Sequence, residues 1–197
     1  MVKSGLSKEE LIAWGGQEVF NQALALCNSG DVHDVRYDDD RKLNRSLILE
    51  LSNCTWIAGK RNVIITGASG AGKTWISNAL GVAACNAFYT ARYTHLPELL
   101  DELTVFKDGE WLKQRKKYIK RDLPIIDDWL LEKIMPNEAR DRTGSLILCS
   151  QFAPSAWHAK LDNGAIADAV IDRVVYKSYT IHIEGDESMR KRMGGIS

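Results

Sequence analysis

The chain has 197 residues, 45% hydrophobic and 26% charged with only 4 prolines, which is the composition of one folded globular domain and excludes disordered or collagen-like chains. Lys and Arg number 26 against 26 Asp and Glu, so binding to nucleic acid has to come from a local patch and not from a global positive field. Cys27, Cys54, Cys85 and Cys149 form no Cys-x-x-Cys pair or Cys/His cluster; with no run of about 18 apolar residues and with Lys8, Glu9 and Glu10 where a secretory signal needs an apolar core, the expectation is a cytoplasmic protein with no membrane span.

Residues 1–60 read as a short, polar, helical N-terminal region that includes a linker. Ser7 can cap a first helix, with Glu10 completing a capping box, and Gly15-Gly16 weakens that helix at about 1 kcal/mol per glycine. The acidic stretch Asp38-Asp39-Asp40 reads as linker. A second helix is predicted from Leu43 to Ile57, because Leu43, Leu47, Leu51 and Cys54 share one face.

From Asn62 onward, short apolar runs alternate with longer amphipathic ones, the pattern of strand–helix units and a mostly parallel sheet. Five strands are predicted: Val63–Thr66, Tyr89–Tyr93, Leu123–Asp127, Ser145–Cys149 and Tyr179–Ile183. Helices are predicted over Gly72–Phe88, Pro97–Phe106, Trp111–Arg121 and Ala165–Val174. The fold class is therefore α/β, with a mostly parallel five-stranded sheet flanked by helices forming one domain over residues 61–197.

Gly67-Ala68-Ser69-Gly70-Ala71-Gly72-Lys73-Thr74 matches G-x-x-x-x-G-K-[ST] immediately after an apolar strand and at the start of a helix, where a P-loop has to sit. Glycines let backbone N–H groups converge on phosphate oxygens, the helix N-terminus adds its dipole, Lys73 reaches the β/γ-phosphates of ATP and the Thr74 hydroxyl ligates Mg²⁺. On average residue usage a chain of this length matches by chance roughly 0.7% of the time, so a merely flexible glycine-rich turn is the poorer reading. A P-loop calls for an apolar strand ending in acids. Leu123-Pro-Ile-Ile-Asp127-Asp128 supplies it, with Asp127 as the magnesium-associated carboxylate and Asp128 as general base or water-orienting group.

These motifs, together with Asp127-Asp128-Trp129, Cys149-Ser150-Gln151, Ala167-Asp168-Ala169-Val170-Ile171-Asp172-Arg173 and Glu187-Ser188-Met189-Arg190-Lys191, resemble the IstB-like ATPases, helpers of insertion-sequence transposition in the AAA+ class and relatives of DnaC and DnaA. The resemblance runs from about Tyr37 to Met193. It implies an ATPase that oligomerises on double-stranded DNA and recruits or activates a transposase. It further implies Gln151 as sensor I and Arg173 as an arginine finger acting on a neighbouring subunit's nucleotide; without it, an ion pair of Arg173 with Asp168 or Asp172 is the simpler reading. Arg190 is a further candidate for a nucleotide or interface contact. The alternatives are a DnaC-like helicase loader, or a nucleotide-binding module that has lost hydrolysis.

Lys107, Lys113, Arg115, Lys116, Lys117, Lys120 and Arg121, against Asp108 and Glu110 alone, form the candidate DNA patch, whose phosphate contacts would be salt-dependent and largely sequence-independent. A solvated helix face fits the charges equally well. His33, His95, His158 and His182 show no metal-ligand spacing, and Trp14, Trp56, Trp75, Trp129 and Trp157 are scattered; no role is assigned to them. Two features depart from the resemblance: Pro124 falls in a strand expected to be central, and the 16 residues from Trp129 to Gly144 leave room for little more than a helical turn at Pro136–Arg140.

Overall fold

The computed structural model describes residues 30–99, 122–130, 144–161, 164–185 and 188–194. The Ser7–Glu10 capping box, the Trp111–Arg121 helix with its basic patch, most of the Pro97–Phe106 helix and most of the Trp129–Gly144 connection lie outside them.

Five strands, β1 (Asn62–Gly67), β2 (Ala91–His95), β3 (Leu123–Trp129), β4 (Ile147–Ser150) and β5 (Ser178–Ile183), form one sheet in the order β2-β3-β4-β1-β5, and every pairing is parallel. The described helices are α1 (Arg45–Ser52), α2 (Thr55–Ala58), α3 (Lys73–Asn86), α4 (Trp157–Lys160), α5 (Ala165–Val175) and α6 (Met189–Gly194). A parallel sheet needs both faces covered, and strand alternation delivers two cores. Val63 and Ile65 of β1 and Ile147 and Cys149 of β4 join a core with α1, α2 and α3, whereas Ile64 and Leu148 point into a second core with Trp129, Leu146, Trp157 and Val174. All six residues of β1 are buried, as expected of an inner strand.

Residues ahead of β1 are part of the first core: Val32, Val35, Ile48, Leu51, Trp56 and Ile57 are all buried in it. The predicted 43–57 helix is two helices. Asn44 caps α1 by accepting from the Leu47 N–H at 3.0 Å, and Cys54 adopts the left-handed conformation (φ 58°) between α1 and α2. That break turns Trp56 inward, where its indole N–H donates to the Leu51 carbonyl at 2.8 Å. The acidic stretch at 38–40 is not a bare linker. It runs into a short 3-10 helix, Asp39–Arg41, and its acids pair with Arg192 near the other end of the chain.

Pro124 does lie in an inner strand, and the register explains why it is tolerated. Leu123 donates its N–H toward β2, to the Thr90 carbonyl at 3.0 Å, so alternation points the missing N–H of Pro124 toward β4. Pairing with β4 begins only one residue later, at Ile125↔Ile147. The proline thus occupies the strand's opening, where no ladder bond is lost.

Strand β2 begins two residues later than predicted and extends to His95, and β3 runs two residues further, to Trp129. Both shifts bring chemistry to the carboxyl ends of the strands. In open α/β sheets that edge is where ligands bind.

Candidate functional site

The loop between β1 and α3 has the backbone its glycines permit. Gly70 (φ +76°) and Gly72 (φ +95°) are in the left-handed region, and a Cβ at Gly70 would stand 2.7 Å from Ser188 Cβ. Glycine there serves both the loop conformation and the close approach of the C-terminal segment. Gly72 leads into α3, so the loop's N–H groups and the helix N-terminus share one concavity, a ready anion site. Ala68 and Ser69 form its exposed tip and Ala71 is buried beneath.

Lys73 is buried, and its ammonium donates to the carbonyls of Gly67 at 2.9 Å and Ala68 at 2.8 Å. Burial lowers its pKa, with the Asp127 carboxylate acting in the opposite direction. The cation thus sits at the mouth of the loop, on a tether long enough to exchange these carbonyls for phosphate oxygens.

Asp127 ends the regular part of β3 and is buried. Its Oδ2 accepts from the Thr74 hydroxyl at 2.5 Å and from the Tyr93 hydroxyl at 2.8 Å, and its Oδ1 accepts from the Asp128 N–H at 2.9 Å. Thr74 and Asp127 are 53 positions apart in sequence, yet their oxygens meet under the loop. Two such hard oxygen donors beside a phosphate cradle suit Mg²⁺, which is held through one or two carboxylates plus substrate phosphates. The residues present therefore fit a magnesium nucleotide. Burial, then the hydrogen bond to Asp127, pushes the Tyr93 phenol far above its ordinary value, so it stays protonated and remains a donor.

Asp128 departs from strand geometry. It has φ +59° and Leu130 has φ +65°, and the β3–β4 register shifts between Ile126 and Trp129. Plain alternation would send Asp128 to the face opposite Asp127. Instead its Oδ2 lies 3.3 Å from His95 Nδ1 on β2, the residue paired in register with Asp127.

Gln151 is exposed and follows β4 directly. Its neighbour Ser150 pairs with Thr66 on one side and Trp129 on the other, which places Gln151 between the P-loop and the Asp127-Asp128 end of β3. Ser150 itself is fixed by donating to the Trp129 carbonyl at 2.9 Å. Arg173 lies elsewhere. Its carbonyl and that of Val174 accept from the Asn62 side chain at 3.4 and 3.1 Å, so the end of α5 is tied to the opening of β1, the edge away from the P-loop. Asp168, one of its suggested partners, is engaged by His158 Nε2 at 2.7 Å.

The segments Arg36–Arg41 and Met189–Arg192 close the site's rim. The Met189 N–H donates to the Gly70 carbonyl at 2.8 Å. Arg41, 4% exposed, donates to the Ala71 carbonyl at 2.9 Å and to the Arg36 carbonyl at 2.6 Å. Arg192 bonds Asp38 at 3.2 Å and both oxygens of Asp40. Tyr93, His95 and Arg41 carry no motif in the sequence. For Tyr93 and His95 the available signal was their i, i+2 spacing on a strand next to the acidic one; for Arg41 there was none.

Residues 15–195 match the family described as IstB-like ATP binding protein. The chain belongs to that family. A relative in Sinorhizobium fredii, the insertion-sequence ATP-binding protein y4pL, is 36% identical over 169 residues, covering 80% of this chain and 68% of the relative. Among solved structures, DnaI superposes with a TM-score of 0.65 at 18% identity, over 78% of this chain and 90% of that one. The DnaC helicase loader gives 0.61 at 14% identity, over 85% of this chain and 99% of the other. The fold of this IstB-like chain is thus a P-loop AAA+ fold, its five-stranded parallel sheet flanked by helices. Among the described residues no helix is long and apolar enough to cross a membrane.

Proposed function

We propose that this IstB-like chain hydrolyses ATP and uses that cycle as a helper in DNA transposition, binding double-stranded DNA as a homo-oligomer and recruiting or activating a transposase. The observation that carries the hydrolytic part is the meeting of Thr74 and Asp127 beneath the P-loop, with a second carboxylate, Asp128, at the same strand end. The insertion-sequence naming of the relative supports the transposition part.

Bound Mg²⁺ would supply positive charge to the phosphates undergoing transfer. The loop N–H groups from Gly67 to Thr74 hold the phosphate oxygens, and Lys73 leaves its two carbonyls to reach the terminal phosphates. Thr74 and Asp127 would hold the metal. Asp128 accepts a proton from, or orients, the attacking water, while the Gln151 amide holds that water or the γ-phosphate from the far side. Arg173, at the opposite edge of its own subunit, stabilises developing charge on a neighbour's nucleotide. The basic run Lys107, Lys113, Arg115, Lys116, Lys117, Lys120 and Arg121 contacts DNA phosphates.

Phosphate release measured with and without duplex DNA tests this reading. Wild-type chain should turn over ATP faster on DNA, and Asp128→Asn should bind ATP but lose turnover by about 10²–10⁴-fold, the usual weight of a general base. Undiminished turnover in Asp128→Asn would refute the assignment. A helicase loader is favoured by the likeness to DnaI and DnaC, in fold alone; co-purification with a replicative helicase in place of a transposase would decide for it.

A further inference from the structure

Three successive peptides carry the P-loop from Gly70 into α3, and they are held in different ways. The Gly70–Ala71 peptide is fixed by main-chain bonds on both sides: its carbonyl accepts from the Met189 N–H at 2.8 Å, and its N–H donates to the Ala68 carbonyl at 3.2 Å. The Gly72–Lys73 peptide is fixed by the helix, its carbonyl accepting from the Ile76 N–H at 3.1 Å. The peptide between them, Ala71–Gly72, is held by a side chain. Arg41 Nη2 donates to its carbonyl at 2.9 Å, from 30 positions earlier in the chain. This peptide is also the one most able to turn over, because a flip needs only new values of ψ at Ala71 and φ at Gly72, and glycine takes either sign of φ.

Its orientation decides what the loop presents to an anion. In a planar trans peptide the C=O and N–H point in opposite directions. With the carbonyl drawn to Arg41, the Gly72 N–H faces away from it, on the side of the part-exposed Gly72 and the loop's concavity. Flipped, the same peptide would turn a carbonyl oxygen toward the phosphates. The guanidinium also polarises the peptide, which strengthens its N–H as a donor. Arg41 is placed for this task and not for an ion pair. It is 4% exposed, and its other bond goes to the Arg36 carbonyl at 2.6 Å. The acids of its own segment, Asp38 and Asp40, are taken by Arg192. A buried cation resting, among the described residues, on carbonyls is costly, and a polyanion bound on the far side of the peptide offsets that cost.

We propose that Arg41 is a positioning residue for nucleotide binding: it locks the Ala71–Gly72 peptide with its N–H turned into the loop, and so sets the affinity for the phosphates of ATP. This rests on the reading of the loop as the ATP site. Where only a fraction of the loop is competent to bind, the apparent dissociation constant rises by the inverse of that fraction.

The test uses the full chain as wild type, Arg41→Met, Arg41→Lys and Lys73→Ala, measuring Mg²⁺-ATP binding by calorimetry, kcat and KM for ATP, and melting of the free protein. Methionine keeps much of the stem's volume without a donor, and lysine keeps one charged donor. Arg41→Met should weaken Mg²⁺-ATP binding and raise KM by about 10-fold or more, with kcat at saturating ATP within about twofold of wild type. Arg41→Lys should recover part of the affinity. A purely structural tie would lower the melting midpoint without that split or that recovery, and such a result overturns the proposal. So does wild-type affinity in Arg41→Met, or a lowered kcat with KM unchanged. If Arg41→Met fails to melt cooperatively, Arg41→Lys carries the test with a rise in KM of about 3–10-fold, and wild-type affinity there overturns the proposal. A wild-type chain that does not bind Mg²⁺-ATP, or that binds it no better than Lys73→Ala, overturns instead the ATP-site reading beneath it.

Discussion

Gly70 joins the P-loop to the C-terminal segment, and replacing it with alanine separates two physical costs. At φ +76° an L-residue costs about 1–2 kcal/mol relative to glycine. The added Cβ also stands 2.7 Å from Ser188 Cβ, where carbon–carbon contacts settle at about 3.5–4.0 Å. Relieving it means moving the start of α6, whose Met189 N–H is bonded to the Gly70 carbonyl; overpacking of that kind costs about 1–3 kcal/mol. Together Gly70→Ala should lose about 2–5 kcal/mol, and at roughly 2–4 °C per kcal/mol for a chain of this size its melting midpoint should fall by at least ~4 °C. Adding Ser188→Gly removes the clash but not the backbone cost, so the double variant should regain part of the loss and no more. Gly164, where an added Cβ would meet no atom within 4 Å and φ is not positive, is the control: Gly164→Ala should cost under about 1 kcal/mol. If Gly70→Ala melts with wild type, or if Ser188→Gly restores nothing, the packing of α6 on the P-loop is misassigned.

Three further outcomes follow from the same account. Removing the charges of Lys116, Lys117 and Lys120 should weaken duplex binding and reduce the slope of log K against log salt by about 2.7, at ~0.9 per phosphate contact; an unchanged slope would remove that segment from the interface. Arg173→Ala and Lys73→Ala should each be inactive alone but regain activity when mixed, because one supplies the finger and the other the nucleotide site; a finger is worth about 10³–10⁵ in rate, so absence of complementation would refute action across subunits. Alkaline conditions should destabilise the fold through its buried thiols. Burial pushes Cys54 up from 9.0 to about 11 and raises Cys149 further, so above pH 9 the unfolded chain releases protons that the folded chain keeps. Stability is then full below pH 9 and falls as pH rises, by on the order of 1 kcal/mol per thiol at pH 10. Melting curves at pH 8 and 10 should differ by several degrees from this source, and the Cys54→Ala/Cys149→Ala variant should show a smaller difference.

The P-loop was legible because its chemistry is local: an apolar strand, glycines at fixed offsets and Lys73-Thr74 at a helix start need no knowledge of the rest of the chain. The sheet was legible for a related reason, since each inner strand, buried on both faces, is a compact apolar run. The features that the pattern hides are set by pairing across strands. His95 meets Asp128 only because β2 runs two residues past the predicted strand and pairs with Asp127, and no periodicity within residues 89–95 records that register. The turning of Asp128 toward β2 depends on a bulge against β4, again a property of two strands at once. Cys54 reads as the fourth apolar position of a helix, and the pattern cannot distinguish that from a left-handed break that returns Trp56 to the core. Pro124 looks misplaced in an inner strand until the late start of β4 pairing is known.

The claim on which the rest depends is that Lys73 and the loop around it form a working nucleotide site. Thermal unfolding with and without Mg²⁺-ATP, for wild type and Lys73→Ala, tests it most directly. At 100 times its dissociation constant the nucleotide should stabilise wild type by about 2.7 kcal/mol, a rise of roughly 5–11 °C in midpoint, and should leave Lys73→Ala unmoved. An equal rise in both proteins would place the nucleotide elsewhere, and no rise in a cooperatively melting wild type would contradict the account at its base.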